Sequence, residues 1–213
     1  MLRKIIGSGL ATCVILVGLL QATATLAADR PFSIKVQGKY FVANGVIDSR
    51  TPGRVAKAIG DRPDIRILVL NNVPGSADDA ANLQASLLIR KAGLTTIVPA
   101  KGLISSGGTD MFLAGKQRII EKGACVGVHS WAAGNKQGAD FPDSSSAHDG
   151  YLDYYRAVGI PSDFYWFTLD VADADEMHWM SINEIKQFRM VTNRPKHGAE
   201  SENSRYARCD RRG

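Results

Sequence analysis

Three short apolar runs alternate with more polar segments, and this alternation constrains the fold of the chain more than any other feature. The runs cover residues 66–70, 95–98 and 125–129, and the first of them reads RILVL. Continuous apolar strands are typical of a sheet that is buried on both faces. Residues 78–91 lie between the first two runs and are amphipathic, with acids first and bases last, which suits a helix dipole. Strand and helix alternating in this way predict an α/β fold with a largely parallel sheet.

Further segments extend the pattern in both directions. We expect strands at 34–38, 40–47 and 118–120, and helices at 51–59, 105–114, 151–158, 163–169 and 181–188. The last helix begins with a capping box, formed by Ser181 and Glu184. A chain of 213 residues, 45% of them hydrophobic, is large enough for one compact core, and we place this single domain at residues 28–195.

The start of the chain predicts a secretory signal peptide over residues 1–27. Arg3 and Lys4 precede a run without ionisable acids or bases at 5–20, and small residues follow up to Ala28. The run is shorter than the ~20 residues that span a hydrocarbon core, so we expect cleavage after Ala27 or Ala28 and no stable membrane anchor afterwards. The expected location is the bacterial periplasm or the extracellular medium.

The other end of the chain carries much of the basic charge. The formal net charge is +5, and residues 196–213 combine several bases with almost no apolar residues, which predicts a disordered basic tail. The remaining body is close to neutral and has no basic face with interleaved aromatic residues, so a nucleic-acid partner is not expected.

Two cysteines remain once the signal peptide is removed. Cys125 lies in an apolar run and Cys209 lies in the basic tail. An exported chain permits one disulfide, but a strand-buried thiol and a disordered tail rarely meet. We therefore expect Cys125 to be a small core residue, and the sequence does not determine whether Cys125 or Cys209 forms a disulfide.

Three of the predicted strands are followed by residues that could carry chemistry. Pro74 and Gly75 predict a tight turn after the first strand, with backbone N–H groups free to hold an anion. Ser105 and Ser106 begin a helix after the second strand, and His129 ends the third. Each feature also has a purely structural explanation. Pro74 and Gly75 could form an ordinary turn, the serines could cap the helix, and His129 could be a surface residue. Because the carboxyl ends of parallel strands share one edge, the three segments together favour a ligand site.

The stretch 69–130 resembles the Clp protease proteolytic subunit and its relatives in the crotonase-like superfamily, in particular small exported members. The motifs that carry the resemblance are NVPGS at 72–76, ISSGGT at 104–109 with MFLAG at 111–115, and GACVGVH at 123–129. A weaker fourth is MHWMS at 177–181, followed by Glu184 and a closing strand at 190–192. The resemblance implies a superhelix of repeated β-β-α units with a largely parallel sheet, and assembly into a homo-oligomer.

The resemblance also implies a serine peptidase site. Ser106 matches the nucleophile and His129 the general base, and the backbone amides of Ser76 and Gly107 would form the oxyanion hole. Ser105 is the alternative nucleophile, one residue away. The acid of the family falls nearest Met177, and of the neighbouring acids we choose Glu176; the others are Asp175, Asp173 and Asp170. No metal and no cofactor are implied.

The leading hypothesis is an exported serine hydrolase, a peptidase with peptide or protein substrates. One alternative is a catalytically decayed binding or assembly protein of the same fold. The other is an acyl-thioester enzyme of the crotonase type, against which export argues because coenzyme A is cytoplasmic. A serine/lysine dyad through Lys116 or Lys122 ranks below the histidine route.

Two other features of the sequence have structural explanations that we prefer. His178 has no second ligand at a zinc-like spacing and is expected to pack. The aromatic residues between 151 and 167 are expected to form a layer between helices, or alternatively a subunit interface. These residues are Tyr151, Tyr154, Tyr155, Phe164, Tyr165, Trp166 and Phe167.

Overall fold

A computed structural model describes residues 30–192 and Cys209. The signal peptide predicted at 1–27, and the tail predicted at 196–213 apart from Cys209, lie outside these residues. In chain order the elements are β1 Ser33–Gln37, β2 Tyr40–Asn44, α1 Thr51–Asp61, β3 Ile67–Val73, α2 Asp79–Lys91, β4 Thr95–Val98, β5 Leu103–Ser105, α3 Gly107–Leu113, β6 Gln117–Ile120, β7 Cys125–Val128, β8 Ala132–Ala133, β9 Lys136–Gln137, α4 Asp149–Val158, α5 Ser162–Asp170, β10 His178–Trp179 and α6 Ile182–Gln187.

The main sheet has eight strands and divides at β3 into two branches. The first half of β3 pairs with β4, which pairs with β6, and the second half pairs with β5, which pairs with β7. All of these pairs are parallel, whereas β1 and β10 are antiparallel to their neighbours β2 and β7. Successive strands therefore alternate between the branches: β4 and β6 lie in one branch, and β5 and β7 lie in the other. The predicted α/β class, with repeated β-β-α units and a largely parallel sheet, is confirmed.

Local sequence explains where the elements that support this sheet begin. The side chain of Asp78 accepts a hydrogen bond from the Ala81 amide at 2.9 Å and so caps α2. The capping box predicted for the last helix is formed, with Ser181 and Glu184 each accepting a hydrogen bond from the backbone amide of the other. No helix of residues 30–192 is both long and apolar enough to cross a membrane.

The helix predicted at 105–114 starts later than expected, because three of the residues before it form a strand. Leu103–Ser105 is β5, and α3 begins only at Gly107. The closing strand implied at 190–192 is not formed. Thr192 instead bonds to Arg118 at the end of the β4–β6 branch, with its amide donating to the Arg118 carbonyl at 3.2 Å and its hydroxyl accepting from the Arg118 amide at 2.9 Å.

The sequence leaves the pairing of Cys125 and Cys209 open, and the structure decides it. The two form a disulfide. Both cysteines are buried, and they pack with Leu103 and Trp179 in a small apolar cluster beside β7. Cys125 is a core residue as expected, but Cys209 is buried against it because apolar side chains of β5 and β10 provide a site for it.

Candidate active site

The strands β3, β5 and β7 are neighbours, and their carboxyl ends bring the three predicted segments to one edge of the sheet. Val73 pairs with Ile104, and Ser105 pairs with Gly127. The turn at 74–76, Ser106 and His129 each lie just beyond the end of one of these strands. This edge is where open parallel sheets place their ligand sites.

Ser106 has an unusual backbone conformation at the point where β5 turns into α3. Its φ is 50° and its ψ is −128°, and it is one of two residues other than glycine with a positive φ in the described part of the chain. Such a conformation costs of order 1–3 kcal/mol and persists where the surrounding structure enforces it. A serine on a sharp turn from strand to helix is also how many hydrolases expose a nucleophile. The amide of Ser106 donates to the Gly127 carbonyl at 3.1 Å, which fixes the turn to β7.

The neighbouring Ser105 is placed differently. Its side chain is buried, and its hydroxyl donates a hydrogen bond to the Pro74 carbonyl at 2.7 Å. That bond links the end of β5 to the turn after β3. Ser105 therefore supports the turn, whereas the side chain of Ser106 lines a cavity.

The two residues that carry the predicted oxyanion donors, Ser76 and Gly107, pack against each other. Among the described residues, neither the Ser76 amide nor the Gly107 amide donates a hydrogen bond. A Cβ placed on Gly107 would collide with the Ser76 side chain and would lie 2.9 Å from Asn82 Nδ2. The φ of Ser76 is not positive, so this serine is not strained. Two unused N–H groups next to Ser106 are what an oxyanion hole requires.

His129 lines the same cavity as Ser106. Its Nδ1 is buried and has no hydrogen-bond partner among the described residues. Burial lowers the pKa of the imidazole, and the Ala174 backbone and the Asp79 carboxylate oppose part of that effect. The Ala174 backbone is thus close enough to act electrostatically on the ring without forming a hydrogen bond of good geometry. A lowered pKa keeps the ring neutral at pH 7, which is the form a general base needs.

The structure does not bring the predicted acid to this imidazole. Glu176 is exposed and makes no hydrogen bond to His129; its amide donates to the Asp173 carbonyl at 3.0 Å. Asp173 itself accepts from Gln137 Nε2 at 2.7 Å. The alternatives Asp175 and Asp170 are exposed and, like the other two, do not line the cavity. Ser106 and His129 thus share one cavity, and the third member assigned from sequence does not.

Two aspartates that the sequence reasoning missed do line the cavity, which has a volume of about 170 Å³. Asp79 accepts hydrogen bonds from the Ser76 hydroxyl and from the Tyr151 hydroxyl, the latter at 2.7 Å. Asp110 is buried and accepts from the Tyr155 hydroxyl at 2.5 Å. Burial first, and the Asp79 charge to a lesser extent, raise the pKa of Asp110 to about 7. Its position four residues after Ser106, one helical turn further on, is the signal that could have identified it.

The aromatic residues form a layer between α4 and α5, as expected, and part of that layer is a wall of the cavity. Tyr151, Tyr155 and Tyr165 line the cavity together with Trp131. Trp131 Nε1 donates to the Tyr165 hydroxyl at 2.9 Å, and the rings of Trp131 and Tyr151 stack with centroids 6.0 Å apart. The buried His148 contacts the Tyr165 hydroxyl through Nδ1 at 2.6 Å. The layer therefore serves both the core and the site.

The remaining candidates lie outside the cavity. His178 Nε2 lies 3.0 Å from a Glu184 oxygen, and this contact helps to lower the pKa of Glu184. Lys116 and Lys122 are exposed and do not line the cavity. Within residues 30–192 there is no group of His, Cys, Asp and Glu side chains that could hold a metal ion.

Comparison with known proteins returns similar structures only. No protein-family model and no curated protein matches the sequence. One similar structure is a mutant of a membrane-bound stomatin-specific protease in complex with a substrate peptide. It is 14% identical with a TM-score of 0.47, and the match covers 78% of this chain and 75% of the protease chain. A second mutant of that protease is 13% identical, with a TM-score of 0.46 and 86% of each chain covered. An enoyl-CoA hydratase from Polaromonas sp. JS666 is 14% identical, with a TM-score of 0.48, covering 84% of this chain and 76% of its own.

These neighbours are a protease and a crotonase, the two kinds of protein that the sequence resemblance to the Clp protease and crotonase-like superfamily names. The similarity concerns the fold. The strand order described above establishes the α/β architecture without these neighbours, and their TM-scores and identities are too low for an argument about family or activity.

Proposed function

We propose that this chain is an exported serine hydrolase that cleaves peptides or proteins, with Ser106 as nucleophile and His129 as general base. The observation that carries the proposal is the positive φ of Ser106 between β5 and α3, at the wall of the cavity that His129 also lines. Ser105 is a poorer nucleophile because its buried hydroxyl is already bonded to the Pro74 carbonyl.

In the proposed reaction, neutral His129 takes the proton of the Ser106 hydroxyl as Oγ attacks the substrate carbonyl carbon. The amides of Ser76 and Gly107 donate to the oxyanion of the tetrahedral intermediate. Protonated His129 then gives the proton to the leaving amine, and water releases the acyl group by the same steps in reverse. No hydrogen bond joins Ser106 and His129 here, and such bonds often tighten only when substrate binds. Losing one oxyanion donor typically raises the barrier by ~3 kcal/mol.

Two observations support export. The sequence predicts a signal peptide at 1–27, and Cys125 forms a disulfide with Cys209. Disulfides of this kind form and persist in oxidising compartments such as the periplasm. We also propose a homo-oligomer, which rests on the sequence resemblance alone.

Labelling by a fluorophosphonate tests the nucleophile directly. We expect the mature chain from residue 28 to be labelled, and Ser106→Ala to abolish labelling because the attacking oxygen is removed. Ser105→Ala, the matched control one residue away, should still be labelled, more slowly because the turn at Pro74 loses a hydrogen bond. Intact-mass spectrometry measures both. Absence of labelling in the folded wild-type protein, or labelling that survives Ser106→Ala, would contradict the proposal.

One observation favours a second candidate, a binding or assembly protein that has lost catalysis. Among the described residues, His129 Nδ1 has no acid or other hydrogen-bond partner, and such a partner normally holds the imidazole of a triad in its working tautomer. If this candidate is correct, Ser106→Ala and His129→Ala leave the cellular phenotype unchanged, whereas substitutions in the aromatic layer abolish it.

A further inference from the structure

The proposed mechanism leaves two carboxyl groups in the cavity without a role. Asp79 and Asp110 line the same cavity as Ser106, yet neither bonds to His129. Asp79 lies in the first turn of α2, which follows the oxyanion turn, and Asp110 lies in the first turn of α3, which follows the nucleophile. Both acids are therefore fixed by the same elements that position the reacting groups.

The described residues that line this cavity supply no positive charge to balance its acids. Among the described residues that line it there is no Lys and no Arg, and His129 is held neutral by burial. The Asp79 charge helps to keep a proton on Asp110. A cation bound between the two carboxyl groups would relieve that repulsion.

The hydrogen bonds already present do not use all the acceptor positions of the two carboxyl groups. Each oxygen of Asp79 accepts one hydroxyl. One oxygen of Asp110 accepts the Tyr155 hydroxyl, and the other accepts a longer hydrogen bond from Asn82 Nδ2 at 3.5 Å. A carboxylate offers about four acceptor positions, so both side chains can accept further donors. The tyrosine bonds hold both carboxyl groups in place and leave the Asp79 charge without a positive partner among the residues that line the cavity.

We propose that Asp79 and Asp110 are specificity-determining residues and make this cavity a subsite for a cationic side chain, so that the enzyme cleaves next to Lys or Arg. Ammonium and guanidinium groups form short, charge-assisted hydrogen bonds with carboxylates. The rings of Trp131, Tyr151 and Tyr165 supply the aromatic surface on which such cations also bind. This inference rests on the proposed hydrolase function.

A matched pair of substrates tests the subsite. Two fluorogenic peptides differ only in carrying arginine or citrulline, its uncharged isostere, before the scissile bond. We expect kcat/KM to be at least about tenfold higher for arginine, since a buried hydrogen bond to a charged group contributes that much. Asp79→Asn keeps an oxygen for the Tyr151 hydroxyl and should reduce the ratio severalfold. Asp163→Asn, an exposed aspartate outside the cavity, should keep the wild-type ratio.

The two proposals fail in different ways. If the fluorophosphonate labels Ser106 but both peptides are cleaved equally, the subsite is overturned and the hydrolase stands. If nothing is labelled or cleaved, the hydrolase fails, and calorimetric titration with arginine amide against citrulline amide tests the subsite alone. Binding of arginine amide that weakens in Asp79→Asn then supports the subsite, and equal or absent binding of the two amides overturns it. Circular dichroism verifies that each variant is folded.

Discussion

At the scale of single residues, Asp110 makes the stability of the protein depend on pH. Its pKa is raised to about 7 in the folded protein, whereas an aspartate in an unfolded chain titrates near 3.9. Between these values the unfolded chain has released the proton that the folded chain retains. The contribution of Asp110 is therefore fully present below about pH 4 and is lost as the pH rises to about 7.

We expect Asp110→Asn to remove this dependence. A rise of about three in the pKa corresponds to at most about 4 kcal/mol. The free energy of unfolding of the wild type should therefore fall by up to that much, relative to the variant, between pH 4 and pH 7. Urea unfolding of both proteins at each pH measures the difference. His129 is present in both proteins, so its contribution to the pH dependence cancels in the comparison. That contribution has the opposite sign, because the pKa of His129 is lowered and its effect on stability increases with pH. Parallel curves for the two proteins would show that Asp110 is ionised throughout this range in the folded state.

At the scale of the elements, α3 can lie against β3 only because two glycines begin it. A Cβ on Gly108 would overlap the Val73 carbonyl, which is backbone and cannot move aside as a side chain could. This contact holds the turn after β5 next to the turn after β3, and so holds Ser106 next to Ser76. In this chain the two glycines allow close packing, Gly108 against Val73 of β3 and Gly107 against Ser76.

Gly108→Ala should accordingly destabilise the protein by about 1–3 kcal/mol, the usual range for an overpacked core, although alanine favours helices. The control is Gly53→Ala in α1, where a Cβ would meet nothing within 4 Å. That change should leave stability unaltered or raise it by up to ~1 kcal/mol. Denaturant midpoints of the two variants measure the contrast, and equal effects would mean that α3 can shift away from β3 without cost.

The elements also show how far the sequence could predict the fold and the site. The strands of four or more residues and the helices agree with their predicted ranges within three residues at each end, because local periodicity determines them. The strand β5 has three residues, and pairing with β3 and β7 on either side stabilises it, so it has no local signal. Glu176 is the acid nearest in sequence to Met177, where the acid of the family falls, but tertiary packing leaves it exposed while Asp79 and Asp110 line the cavity.

At the scale of the whole molecule, one covalent bond ties the end of the chain to the strand that leads to His129. The disulfide joins Cys125 at the start of β7 to Cys209, across a sequence separation of 84 residues. Cross-links that close long loops restrict the unfolded chain most, and a native disulfide typically contributes about 2–4 kcal/mol. The bond also places Cys209 against Trp179 of β10, the strand that pairs with β7.

Reduction of this disulfide should lower the stability of the mature protein by about 2–4 kcal/mol, which for a chain of this size corresponds to a Tm lower by roughly 5–15 °C. Thermal unfolding with and without a reductant, with thiols counted after denaturation, measures the effect. The double variant Cys125→Ala with Cys209→Ala is the control, since reductant should no longer change its Tm. A wild-type Tm that stays the same after both thiols have been shown to be free would mean that the apolar contacts of Cys209, not the covalent bond, hold the end of the chain on β7.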